Sequence, residues 1–420
     1  GNYAFPIRAI RINNTAGTAG GAIYANQTVI TNGSNFTGNK VNSTEGTGGA
    51  IYSNTKVTAY NSTFTNNTAT KYGGSIFTNN PDSTINATKS SFINNTATVS
   101  GGALYSNGKI TTDTAIFTNN TATTVSGGAI FANGTANLVN TNLTNNFAGT
   151  SGGAVYSNNN ISTIGDNFDN NTAGTSGGAI FTTMNVIVNN TNFTGNKVNS
   201  TSTNNSGGVI YATGFVNATN AKFINNSASV TGDNTAFGGA IYSNGAEVQN
   251  VSFANNTATS YGGAIFINSN NIKVKYSNFD NNTAGSGGAI FTNDVNSVIN
   301  VTDSNFTNNK ANVTTGGAIR SNGELELNNV NFINNSAIKS GGAISSANNV
   351  TITKSEFINN KATDSNSFGG AVYVENGINV SESSFDNNTA GTGGAIFSNN
   401  NTITVIVGGS SFNGNNATVS

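Results

Sequence analysis

Hydrophobic residues recur along this chain in short alternating runs, not at helical spacing. Ala129-Ile130-Phe131-Ala132 and Leu325-Glu326-Leu327 have the two-residue period of strands. Gly, Asn, Thr and β-branched residues dominate, which disfavours helix throughout. The runs are tied to two anchors. The first is Gly-Gly, a small residue and an aliphatic, in fifteen copies beginning at Gly20 and ending at Gly393, spaced 24 to 31 residues apart. The second is Phe-x-(Asn/Gly)-Asn, from Phe36 to Phe412, with Leu143 as its one departure from Phe.

Self-similarity at this period means a solenoid, propeller or array. A propeller blade needs about 40 residues and four strands, whereas about 25 suits one coil of three short strands and three turns. The first Gly lies 16 residues before the Phe in ten copies, while the return from the Phe motif to the next Gly pair varies from 5 to 12. The first segment therefore reads as fixed by packing and the second as a tolerant loop, longest at 197–206 and 227–237. The prediction is an all-β chain, a right-handed single-stranded parallel β-helix (β-solenoid) of about fifteen coils filling residues 1–420 as one domain. At ~4.8 Å per coil it would be roughly 70 Å long.

Each slot of the coil then acquires a role. The third residue after the first Gly is aliphatic in every copy and points inward, as does the Phe. The residue two after the Phe is only Asn or Gly, the signature of a left-handed backbone. The residue after that is Asn in all fifteen copies: Asn39, Asn67, Asn95, Asn120, Asn146, Asn171, Asn196, Asn226, Asn256, Asn282, Asn309, Asn335, Asn360, Asn388 and Asn415. A mere turn-former would admit Asp, Ser or Gly, so the side chain itself is needed, and a coil-to-coil amide ladder is expected. The residue following the aliphatic is Tyr or Phe in thirteen copies: Tyr24, Tyr52, Phe77, Tyr105, Phe131, Tyr156, Phe181, Tyr211, Tyr242, Phe266, Phe291, Tyr373 and Phe397. Alternation turns it outward, and Arg320 and Ser345 interrupt the line. This partly exposed ladder either stiffens the sheet or forms a ligand stripe, concentrated in the coils before Gly316.

Composition narrows the chemistry. Charged residues are 8% of the chain and the net charge is -1, so no basic surface gathers nucleic acid or anionic lipid. Cys and His are both absent, which removes disulfides, thiolate nucleophiles and the Ser-His-Asp triad. No run reaches the ~18 apolar residues of a membrane span.

The pairing of Gly-Gly-Ala-(Ile/Leu/Val) with Phe-x-x-Asn resembles the repeats of chlamydial polymorphic membrane protein passengers and of methanogen adhesin-like surface proteins. The resemblance covers about residues 11–420 and implies a right-handed β-helix serving as an extracellular adhesin stalk at the cell surface, with no catalytic residues to carry over. Host or neighbouring-cell glycans or proteins are the implied partners.

An enzyme of this fold needs two or three converging carboxylates, or a metal and a base. Asp169, Asp280 and Asp386 share a slot but lie four coils apart; Glu324 and Glu326 share a face without a third partner; Lys354 and Glu382 read as a surface ion pair. No enzyme, cofactor or metal is expected. The ten residues 35–44 recur unchanged at 192–201, a block duplication that suits a spacer. Arg11 stands in the Phe slot of an incomplete first coil, and neither end carries a capping helix. An excerpt of a longer surface protein, or a fibre subunit stacking end to end, are the two expectations.

Overall fold

The computed structural model describes residues 10–200, 205–231, 234–400 and 405–418. Among these every regular element is a strand, and the chain is a parallel β-solenoid of about fifteen turns. It divides into two compact units, one of Gly1–Asn199 with Ile210–Thr213, the other of Ser200–Val209 with Gly214–Ser420.

In the first unit, the coil that begins at Gly127 is representative. Strand β1 (Ile130–Ala132) is followed by β2 (Ala136–Val139), β3 (Asn142–Thr144) and the two-residue β4 (Phe147–Ala148). Each pairs in parallel with its counterpart one coil on: Ile130 with Val155, Leu138 with Thr163, Leu143 with Phe168, Ala148 with Ala173. Coils therefore hold four short strands, not three, because the long face is bent between β2 and β3. The second unit repeats the plan, with Ile265 on Ile290, Phe253 on Phe279 and Phe279 on Phe306. There the two strands of the long face also merge into single ten-residue strands, Val298–Thr307 and Glu324–Ile333.

Three left-handed residues turn each coil. One is the first Gly of the pair, at φ 59 to 69°. Another is the Asn or Gly two after the Phe, positive in all fifteen copies, as its restriction to those types implies. The third lies three before the Phe and bends the long face. It is left-handed even where it is Lys89, Thr114, Tyr276, Asp303 or Glu382. Lys, Thr, Tyr and Glu rarely adopt that conformation, so stacking imposes it on them, while Asn or Gly fills the slot in nine other coils. The second Gly of each pair serves closeness: a Cβ on Gly263 would sit 2.0 Å from the Gly288 carbonyl oxygen of the next coil.

The core consists of columns. The aliphatic slot from Ile51 to Val372 and the Phe slot from Phe36 to Phe385 are wholly buried, and Phe rings stack 4.6–4.9 Å apart within each unit. Arg11 pairs with Phe36, in the Phe register the sequence assigned to it. The Ala before the aliphatic is buried too, its carbonyl doubly used: Ala129 accepts from Ala103 and Leu104 at 3.0 and 2.9 Å. In the two long returns, Asn205–Ser206 pairs with Ala236–Phe237. The tips expected to tolerate change, 201–204 and 232–233, lie outside the described residues.

Candidate functional site

The ladder Asn side chains are buried, and their amides are saturated. Asn95 Nδ2 donates to Asn120 Oδ1 at 3.0 Å and to the Phe64 carbonyl at 3.0 Å. Its own Oδ1 accepts from the Asn67 backbone N–H and Nδ2, both at 3.0 Å. Two donors and two lone pairs are all engaged. The side-chain bonds run from Asn39 to Asn196 in the first unit and from Asn226 to Asn415 in the second. A carboxylate in this slot could accept but not donate.

A second buried column lies two before the Phe. Its hydroxyls accept an N–H from the preceding coil and donate to the carbonyl two residues back, as Ser62 does to Tyr60. Asp166 occupies this slot between Thr141 and Thr191 and is wholly buried. It accepts N–H bonds from Thr141 at 2.6 Å and Ile164 at 2.9 Å. Burial pushes its carboxyl up to about 7, against the pull of those two bonds. The neighbours in its column are hydroxyl residues, and the restriction of this slot to Ser, Thr, Ala or Val in the other coils is the signal that marks Asp166 as a buried exception.

The outward aromatics form a continuous stack in the first unit. Tyr105, Phe131, Tyr156, Phe181 and Tyr211 follow one another at 4.6, 4.7, 4.9 and 4.8 Å with planes within 7° of parallel. Tyr24, Tyr52 and Phe77 precede them, at 4.7 and 5.4 Å. In the second unit Tyr242, Phe266 and Phe291 stack at 5.3 and 5.5 Å. Ring faces are therefore spent on neighbouring rings, and what the column turns outward is edges and hydroxyls.

The expected partial exposure also fails at four members. Phe77, Tyr105, Phe266 and Phe291 are 4–8% exposed. Phe77 lies beside Tyr72 of its own coil at 6.2 Å, and the residue just before the Gly pair explains the other three. Where it is aromatic it covers the ladder ring of the next coil: Tyr72 on Tyr105, Phe237 on Phe266, Tyr261 on Phe291, Phe368 on Phe397, at 4.5–4.8 Å. Elsewhere that slot is Ser or Thr, or Ala19 in the first coil, so sequence pattern alone does not single it out. The ladder's interruption is filled as well. Arg320 reaches over Ser345 (Nη1 to Oγ 3.4 Å) towards Glu375 at 4.0 Å, leaving Ser345 buried.

The acidic candidates stay apart. Glu324 and Glu326 are exposed, and Glu326 accepts from Asn300 at 2.9 Å. Lys354 and Glu382 pair at 3.9 Å, at an exposed site where such a pair is worth little. Burial raises the Asp169 carboxyl. Among the described residues no group of three or more acidic residues is placed to hold a metal.

Eight segments match the family model of the Chlamydia polymorphic membrane protein repeat: 61–79, 89–107, 114–133, 167–183, 250–268, 276–293, 329–347 and 382–399, together a little over a third of the chain. These eight segments are similar to the polymorphic membrane protein repeat. Most matches begin at or near the left-handed residue before the Phe and end just past the ladder aromatic. The matched segments thus span both anchors, the Asn ladder and the ring slot, and leave out most of β2 and its equivalents. No curated protein and no solved structure matches the chain.

Proposed function

We propose that this chain is a surface-exposed, adhesin-like β-solenoid that acts by presenting a repeated face to other cells, without catalysis. The observation that carries this reading is the eightfold match to a membrane-protein repeat on a fold whose recurring slots serve stacking. Its partners in this reading are glycans or proteins of a host or neighbouring cell. It works extracellularly, needs no cofactor, and inserts no part of this segment into a bilayer. Immunolabelling of intact producing cells, with protease shaving, tests exposure. Beads coated with the folded protein test attachment. Labelling only after lysis, or coated beads that bind cells no better than bare ones, would reject the proposal. Continuous fibres seen by electron microscopy on those cells would instead favour the structural-filament alternative.

A further inference from the structure

One stretch of the first unit differs from the rest in charge and cover. Residues 114–165 contain no Asp, Glu, Lys or Arg, and neither do 170–196. Between them stand only Asp166, wholly buried, and Asp169, which lies on the Phe strand and not in the ring column. The ladder is uncovered here, because Ser100, Ser126, Ser151 and Ser176 occupy the slot where Tyr72 and Tyr261 cover the ring of the next coil elsewhere. Phe131, Tyr156, Phe181 and Tyr211 are all half-buried in consequence.

The flanks of this strip are neutral and repetitive. On one side Asn158 Nδ2 donates to Asn133 Oδ1 at 2.7 Å, and Asn133 to Asn107 at 2.8 Å, while Tyr156 Oη donates to Asn158 at 3.1 Å. On the other side runs the serine column. The result is an apolar line of ring edges between two rows of uncharged hydrogen-bonding groups, repeating once per coil.

We propose that this strip binds a neutral polysaccharide lying along the ring edges. Hydrogen-bonding groups at a fixed repeat suit a polymer with its own repeat. A charged ligand would lose hydration here and find no countercharge. A neutral chain covers the apolar edges with its C–H surface and exchanges hydroxyl bonds with the amides and serines. Contacts on four linked coils add up to avidity that no single coil supplies. The inference rests on the adhesin-like reading and names the ligand class and the coils.

The test installs the cover the fold already uses. Ser126→Tyr with Ser151→Tyr places Tyr where Tyr72 and Tyr261 stand in other coils, over Tyr156 and Phe181. Affinity electrophoresis uses galactomannan and a mixed-linkage β-glucan as neutral probes and polygalacturonate as the acidic one. The parent is expected to be retarded by a neutral probe and not by the acidic one. The covered variant should bind about tenfold more weakly or worse, since two of four linked contacts are lost, with its melting temperature kept. Tyr72→Ser, which uncovers Tyr105, should bind more tightly, and it serves as the second variant should the double one fail to fold. No retardation by either neutral probe, equal retardation of parent and variants, or equal retardation by polygalacturonate overturns the inference. Cell attachment measured on the same proteins separates the two levels. Attachment without neutral-polysaccharide binding sinks this inference alone, whereas no attachment by the parent sinks the adhesin-like reading.

Discussion

Asn256 shows how much a single carboxamide holds. It accepts from the Asn226 backbone N–H and Nδ2 at 3.2 and 3.0 Å, and donates to Asn282 Oδ1 at 3.0 Å and to the Phe223 carbonyl at 2.8 Å. Asn256→Ala takes a partner from each of these buried groups, so a loss of at least ~2 kcal/mol in denaturant unfolding is expected. Asn256→Asp should be worse, because it loses both donors and buries a charge. Parent-like unfolding of both variants would contradict the ladder's energetic role. Asp166 makes a pH prediction. Its pKa is raised on folding, from 3.8 to about 7. The neutral form is therefore favoured in the native state, and stability is fully present below pH ~4 and lost as pH rises to about 7. Asp166→Thr, matching its neighbours in the column, should stabilise the protein at pH 8 by on the order of 3–4 kcal/mol and have little effect at pH 3.5. Melting temperatures across that range check it; a parallel shift at all pH values would refute it.

The strands and corners were unequally legible in the sequence. The corner after the Phe was readable because only Asn and Gly occupy it. The corner before it carries the same bias in only nine coils, which Lys89, Thr114 and Tyr276 mask because the coils on either side force them into the same geometry. Alternation placed the ring slot outward but could not reveal that ring faces are consumed by stacking or that Tyr72, Phe237, Tyr261 and Phe368 cover parts of it. The Gly pair was visible as a motif while its two jobs were not. A contrast separates them from the ordinary corner. Gly263→Ala forces a Cβ to 2.0 Å from a backbone oxygen, and should abolish cooperative folding as judged by circular dichroism. Gly195→Asn, at a corner where Asn stands in twelve other coils, meets only the end of the Asn170 side chain, and should change stability by less than about 1 kcal/mol. Equal effects would mean that the two glycines are not distinguished by close approach.

At the scale of the whole molecule, a coil is a unit of addition. Each pairs with its neighbours alone, and such arrays gain stability by nearest-neighbour terms. Deleting residues 127–151 from the first unit joins Ser126 to Gly152, slot for slot, and should yield a folded protein with a melting temperature near the parent's. Deleting only 135 and 136 removes part of a strand whose register is fixed by its neighbours at Ile110 and Ile161, and should disrupt folding. Circular dichroism and thermal melts of the two variants decide it, and the reverse order of stability would overturn the modular reading. The repeat of 35–44 at 192–201 is what such tolerance permits.

The amide ladder has one more consequence. Within each unit the Asn-to-Asn bonds all run one way: Nδ2 gives one hydrogen to the Oδ1 of the coil that follows, and each Oδ1 faces the coil before. The carboxamide dipoles are therefore aligned head to tail in a buried, low-dielectric channel, where each polarises the next. Each unit thereby gains an electrical axis along its coils, made from side chains that carry no net charge.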